Sequence, residues 1–216
     1  AAPPDTRRSQ TLEGHEGWVR ALAFTPKSEW LASASHDGTL RLWALHDNGA
    51  DRQPSYALSG HRGWIKSLAA SPDGRRLLTG GSDGTARLWT IAALDDGGAP
   101  LLLSGHQRAV QSVAFSPNGD LAATASEDGT VRLWDLTAED IAAASVTLTC
   151  DGPMRSLEFS PDGRRLAAAG DCDTVHIWHI HAEDLIAEAR SAAGRELTAE
   201  ERSRYRIDAN LGSVLR

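Results

Sequence analysis

Residues 14–43 read GHEGWVRALAFTPKSEWLASASHDGTLRLW, and this stretch decides the fold. Three further segments align with it without a gap. They are GHRGWIKSLAASPDGRRLLTGGSDGTARLW at 60–89, GHQRAVQSVAFSPNGDLAATASEDGTVRLW at 105–134 and TCDGPMRSLEFSPDGRRLAAAGDCDTVHIW at 149–178. In the first three, a His stands 22 residues before an Asp: His15 and Asp37, His61 and Asp83, His106 and Asp128. Each Asp precedes a Trp by six, giving Trp43, Trp89 and Trp134. The fourth segment keeps the spacing with Cys150, Cys172 and Trp178. Differences in length are confined to the stretches between one Trp and the next Gly-His. Stacked structural units tolerate insertions in that way, on one loop per unit.

Each unit reads as β-structure. WVRALAF alternates and is bounded by a Gly and a Pro turn. SPDG and SPNG suit tight turns, because Pro presets φ and Gly accepts a positive φ. TLRLW and TVRLW alternate again. The expected class is therefore all-β, built of short antiparallel strands, with helix expected only beyond about residue 182.

Gly-His, a Pro turn, Ser-x-Asp-Gly-Thr and Arg-Leu-Trp, recurring in that order, resemble the WD-repeat β-propeller family. The resemblance runs roughly over residues 5–180, although only Trp134-Asp135 spells the Trp-Asp dipeptide. It implies propeller blades over 1–181, with repeats near 12–45, 58–91, 103–136 and 148–180, followed by a helical tail over 182–216. It also implies a hydrogen-bonded set in each blade: His15, Ser33, Asp37 and Trp43; His61, Thr79, Asp83 and Trp89; His106, Thr124, Asp128 and Trp134. A buried Trp N–H and a buried His each need a partner. Repeat four replaces all three partners together, with Cys150, Ala168 and Cys172. A half-satisfied buried network is worse than none. Two cysteines at coupled positions read as free thiols in a reducing compartment, with a disulfide as the alternative.

The same comparison separates scaffold from surface. Three positions per repeat vary while their neighbours do not, and the resemblance maps them to the rim of the central channel. They are Trp18, Arg20 and His36; Trp64, Lys66 and Ser82; Ala109, Gln111 and Glu127; Pro153, Arg155 and Asp171. Trp18 and Trp64 lie outside the repeated Trp position, and beside Arg20 and Lys66 they suit an acidic or aromatic peptide. Trp30, after the Pro turn, is expected between blades.

A formal charge of −7 argues against general nucleic-acid binding. There is no run of 18 apolar residues for a membrane span. The polar AAPPDTRRSQ start is no signal peptide. The only Met is Met154, so the chain reads as a fragment or a processed or trimmed product. Two cysteines are too few for a secreted disulfide scaffold, which makes the cytoplasm the expected compartment. The Ser/His/Asp recurrence is architecture, since a catalytic triad needs one exposed nucleophile and an oxyanion hole. No phosphate-binding loop is present, and His176, His179 and His181, the nearest approach to a His cluster, are expected to face solvent on or after a closing strand. The expectation is a non-catalytic module without cofactor or metal that binds a protein or peptide. The alternative is the sensor part of a larger signalling enzyme with catalysis upstream.

In the resembling family the outer strand of a blade precedes the next Gly-His. Residues 5–12 are then an outer strand whose inner strands lie elsewhere, and the segment 153–179 lacks one. Three closures stay open: half of an eight-bladed ring made by a homodimer, the end of a longer propeller with partner blades in the same protein, or a four-bladed ring. The tail contains Leu197-Thr198-Ala199-Glu200-Glu201, and it resembles the ending of bacterial signalling proteins with a C-terminal WD propeller. The Arg-, Ala- and Gly-rich composition points the same way.

Overall fold

The computed structural model describes residues 9–46 and 49–180. The helical tail expected over 182–216, and His181, lie outside them. Within the described residues the chain is all-β apart from a single 3-10 turn, Ile91–Ala93.

Each repeat folds into one antiparallel sheet. Blade 1 contains β1 (Val19–Phe24), β2 (Trp30–Ser35), β3 (Thr39–His46) and β5 (Tyr56–Ser59), and a two-residue β4 (Gly49–Ala50) extends the end of β3. Blade 2 contains β6 (Ile65–Ala70), β7 (Arg76–Gly81), β8 (Ala86–Thr90) and β9 (Leu101–Leu103). Blade 3 contains β10 (Val110–Phe115), β11 (Leu121–Ser126), β12 (Thr130–Asp135) and β13 (Val146–Thr149). Blade 4 has three strands, β14 (Met154–Phe159), β15 (Arg165–Gly170) and β16 (Val175–His179). The Pro turns join the first two strands of each blade. Gly74, Gly119 and Gly163 take φ of 71–80° there, and Ser28 adopts 53° at the matching place in blade 1.

The expected outer strand over 5–12 is not formed where it is visible. Residues 9–12 carry no strand, and nothing pairs with β16 on its outer side among the described residues. A strand pairs through its backbone, whereas here Gln10 meets β4 through its side chain, bonding the N–H and C=O of Ala50. Trp30 packs against Tyr56 of its own blade, ring centroids 5.7 Å apart, at the margin of the blade 1–blade 2 core.

The core lies between blades, because each sheet has two apolar faces and buries one on each neighbour. Ala32, Ala34, Leu40 and Leu42 of blade 1 meet Ile65, Leu68, Leu77 and Trp89 of blade 2. Leu78, Ala86 and Leu88 of blade 2 meet Val110, Val113 and Trp134 of blade 3. Ala123, Val131 and Leu133 of blade 3 meet Met154, Leu157 and Leu166 of blade 4. One face of each blade is thus outgoing and the other incoming. The inner strands follow in order, β1 beside β6, β6 beside β10 and β10 beside β14.

The arc does not close on itself. Leu22 and Phe24, on the incoming face of blade 1, are 62% and 63% exposed. Val175 and Ile177, on the outgoing face of blade 4, are 67% and 61% exposed. Their counterparts Leu68, Val113 and Leu157, and Leu40, Ala86 and Val131, are buried.

Candidate binding rim

The scaffold beneath the rim is a three-fold repeated hydrogen-bond chain. In blade 1, His15 Nδ1 lies 2.8 Å from Asp37, His15 Nε2 lies 2.8 Å from Ser33 Oγ, and Trp43 Nε1–H donates to that same Oγ at 2.9 Å. In blade 2, His61 Nε2 is 2.8 Å from Thr79 Oγ1, Trp89 Nε1–H donates to it at 3.0 Å, and Nδ1 is 3.1 Å from Asp83. Blade 3 repeats this with His106, Thr124, Trp134 and Asp128 at 2.8, 3.0 and 3.0 Å. A neutral His with its proton on Nδ1 satisfies every group: Trp to hydroxyl, hydroxyl to His, His to carboxylate.

Ionisation follows from that arrangement. Burial pushes His61 and His106 below the usual 6.5, against the opposing charge of Asp83 and Asp128. Burial of Asp83 and Asp128 works against their ionisation. The bonds to Asp83 from the Arg62 N–H, Thr85 and His61, and to Asp128 from Thr130, the Gln107 N–H and His106, outweigh it and hold both carboxyls at about 2. Asp37 is lowered for the same reasons. The hydroxyls of Ser33, Thr79 and Thr124 are buried and committed between Trp and His. This Ser/Thr–His–Asp set therefore presents no nucleophile to solvent.

Repeat four replaces the chain with small groups. Cys150 and Cys172 are free thiols, and burial pushes Cys150 up to about 11. Trp178 there stacks on His176, 5.5 Å between centroids and 9° between planes.

The candidate rim residues sit at a β-bulge. In all four inner hairpins the register shifts across one residue, between Val19 and Ala21, Ile65 and Ser67, Val110 and Ser112, and Met154 and Ser156. The skipped residues are Arg20, Lys66, Gln111 and Arg155. A bulge leaves one residue unpaired and re-aims its side chain. The flanking rim positions are tied by backbone bonds: His36 N–H to Trp18 O at 2.9 Å, Ser82 to Trp64 at 2.8 Å, Glu127 to Ala109 at 3.0 Å and Asp171 to Pro153 at 2.8 Å.

The two halves of this rim differ in chemistry. On blades 3 and 4 the groups satisfy one another. Gln111 donates to Glu127 at 2.7 Å, and Arg155 donates to Asp171 and to Glu127, each at 2.6 Å. Those bonds push the Arg155 guanidinium further up and Asp171 down. On blades 1 and 2 the matching positions hold Arg20 and Lys66, and the acid positions hold His36 and Ser82. Neither cation has a carboxylate partner among the described residues. Ser82 Oγ instead accepts the Trp64 N–H at 2.8 Å.

Aromatic rings fill the same place. His36 stacks on Trp64 across the blade boundary, centroids 4.5 Å apart and planes 10° apart, with Trp18 at 5.7 Å on its other neighbour side. Lys66 Nζ sits 4.8 Å from the Trp64 ring centroid. Trp18 is nonetheless 79% exposed and Trp64 51%. The inter-blade stack of His36 is invisible to spacing within a repeat, and so is the bridging of Arg155 to an acid on each of two blades. A separate polar cleft is lined by Ser9, Gln10, Thr11, Glu13, Arg52 and Gln53, none of which belongs to this group.

Among the described residues no group of His, Cys, Asp or Glu is placed to hold a metal, and no helix is long and apolar enough to cross a membrane. Comparison with known proteins finds matches to the WD domain, G-beta repeat, at residues 6–44, 52–90, 100–135 and 145–179. Similar curated proteins include nuclear distribution protein PAC1 of Tuber melanosporum, 50% identical over 40 residues, 18% of this chain and 9% of that protein. The pre-mRNA-splicing factor prp46 of Aspergillus fumigatus is 43% identical over 42 residues, 19% of this chain and 9% of that protein. The mouse WD repeat and HMG-box DNA-binding protein 1 is 49% identical over 43 residues, 20% of this chain and 4% of that protein. The matched stretch is thus about one repeat, under a tenth of each relative. These relatives are fungal and murine, and they lend no support to the resemblance to bacterial signalling proteins. Four family matches spanning well over half the sequence, on four antiparallel blades with the repeated Trp–hydroxyl–His–Asp chain, show that this protein belongs to the WD domain, G-beta repeat family.

Proposed function

We propose that this chain is a non-catalytic protein-interaction module whose rim over blades 1 and 2 takes up an acidic peptide segment carrying an apolar or aromatic anchor. The observation that carries this is the contrast along the rim. Arg155 is neutralised by its own blade and its neighbour, whereas Arg20 and Lys66 have no carboxylate partner among the described residues, and Lys66 lies over Trp64 in the linked Trp18, His36 and Trp64 rings. Aromatic and Arg side chains are the commonest binding anchors, and charge complementarity sets partner choice. Occupancy of the rim would then regulate an attached or associated effector, as expected of a scaffold or sensor.

The test uses labelled peptides of equal length, one acidic with a Trp or Leu, one neutral and one basic. Fluorescence anisotropy should show binding of the acidic peptide that weakens with salt. Trp18→Ala with Trp64→Ala, or Arg20→Glu with Lys66→Glu, should each weaken it by about tenfold or more. Arg155→Ala should leave it within about twofold, because that cation is already spent. Equal affinity for all three peptides, or indifference to both double variants, would sink the reading.

A further inference from the structure

We propose that the two open faces of the arc join in trans, so that the outgoing face of blade 4 in one copy packs on the incoming face of blade 1 in a second copy. Three observations converge on that occupant. The first is continuity with the internal interfaces. The chain already makes the same outgoing-to-incoming contact three times, and both unused halves are its own. Val19, Leu22 and Phe24 stand where Val110, Val113 and Phe115 pack on blade 2, and Val175 and Ile177 stand where Val131 and Leu133 pack on blade 4. Exposed apolar faces of this kind mark association sites.

The second is an unspent hydrogen bond. At two internal interfaces an inner-strand N–H crosses to a serine of the preceding blade: Val113 to Ser67 Oγ at 3.1 Å and Leu157 to Ser112 Oγ at 3.3 Å. Ser156 is the serine of blade 4 in that register and is exposed, and Leu22 is the matching N–H of blade 1. The third is strand count. Among the described residues blade 4 has three strands, and none of them pairs with β16 on its outer side. Residues 10–13, ahead of Gly14, occupy the place that β5 and β9 hold ahead of Gly60 and Gly105, yet form no strand; Gln10 meets β4 at Ala50 through its side chain and leaves the backbone unpaired in any sheet. Pairing them with β16 of the second copy supplies blade 4 with a fourth strand. The contact is head-to-tail, and two copies close it in a ring.

Two residues oppose tight packing. Glu158 replaces Ala23, Ala69 and Ala114 on the outgoing face, and Asp173 replaces Gly38, Gly84 and Gly129 at the turn that approaches the next blade. The association is therefore reversible with dilution.

Sedimentation velocity over a concentration series tests this on the whole chain. The expected result is a species of twice the 23.1 kDa chain mass that dissociates on dilution. Leu22→Glu and Ile177→Glu, both on exposed side chains, should each abolish it while far-UV circular dichroism stays unchanged. An equimolar mixture of the two variants should regain a dimer, because one wild-type face of each remains. Glu158→Ala should shift the midpoint to lower concentration. A monomer at every concentration would assign these faces to blades outside this chain and overturn the proposal. So would a dimer that either charged variant leaves intact, or a variant mixture that stays monomeric.

Discussion

Thr124→Val isolates the polar chain that pins each blade. Valine has nearly the shape of threonine, so no cavity forms, and Thr124 is fully buried. The lost hydroxyl accepts from Trp134 Nε1 at 3.0 Å and meets His106 Nε2 at 2.8 Å. Trp134 is fully buried and the His106 side chain is 1% exposed, so water cannot replace the missing partner at either atom. Leaving one buried polar group unsatisfied costs about 1–3 kcal/mol. The substitution strands two such atoms, while the added methyl offsets about 0.5–1 kcal/mol through burial. The expected net loss is about 2–4 kcal/mol. Urea unfolding followed by Trp fluorescence reads it as a fall in midpoint at constant slope. Ala168→Thr is the matching control. Blade 4 offers that hydroxyl no His, so the change should not stabilise. A loss below about 0.5 kcal/mol for Thr124→Val would refute the claim that this chain of bonds is what holds the Trp in place.

The remaining expectations concern pH, a turn and repeat four. His61 and His106 are depressed below 6.5 in the fold, so the unfolded chain binds more protons there. Stability should be full above that value and fall as pH drops through it. Asp83 and Asp128, lowered from 3.8 to about 2, add a second loss of the same sign as pH falls from 3.8 toward 2. Thermal melts between pH 8 and pH 3 check this, as trial conditions of about those values, and a melting point that rises on acidification would contradict it. Ser28→Gly should stabilise by about 0.5 kcal/mol, because Ser28 alone takes at φ 53° the conformation that glycine supplies in the other three turns. Equal or lower stability by urea titration would count against that strain. Thiol titration of the native protein should find two free groups, with Cys150 slow to react near neutral pH.

The blade plan was readable because the His-to-Asp and Asp-to-Trp spacings reflect strand register, which a sequence carries directly. His15, Ser33, Asp37 and Trp43 are far apart in the chain and meet because two hairpin turns of fixed length bring them together. What lies between blades was not readable in that way. His36 on Trp64, and Arg155 bridging Asp171 and Glu127, depend on how one sheet sits against the next, and no spacing within a repeat reports it. The positions named from their variability flank or occupy the bulges, and their chemistry divides between the two pairs of blades. Gln111, Glu127, Arg155 and Asp171 bind one another, which leaves Trp18, Arg20, Trp64 and Lys66 as the available group. Of the outer strand expected over 5–12, residues 9–12 form no strand, because Gln10 meets β4 through its side chain and not through backbone pairing.

The most direct test of the central claim is the indole N–H region of a nitrogen-15 correlation spectrum during titration with an acidic, Trp-containing peptide. The chain has seven Trp residues, and three of them, Trp43, Trp89 and Trp134, have their indole N–H bonded and buried. The account predicts that the Trp18 and Trp64 signals move together and saturate, while those three stay fixed and a basic peptide moves none. Movement of the buried three, or a Trp18 and Trp64 pair that stays still while the peptide binds, would place the interaction elsewhere.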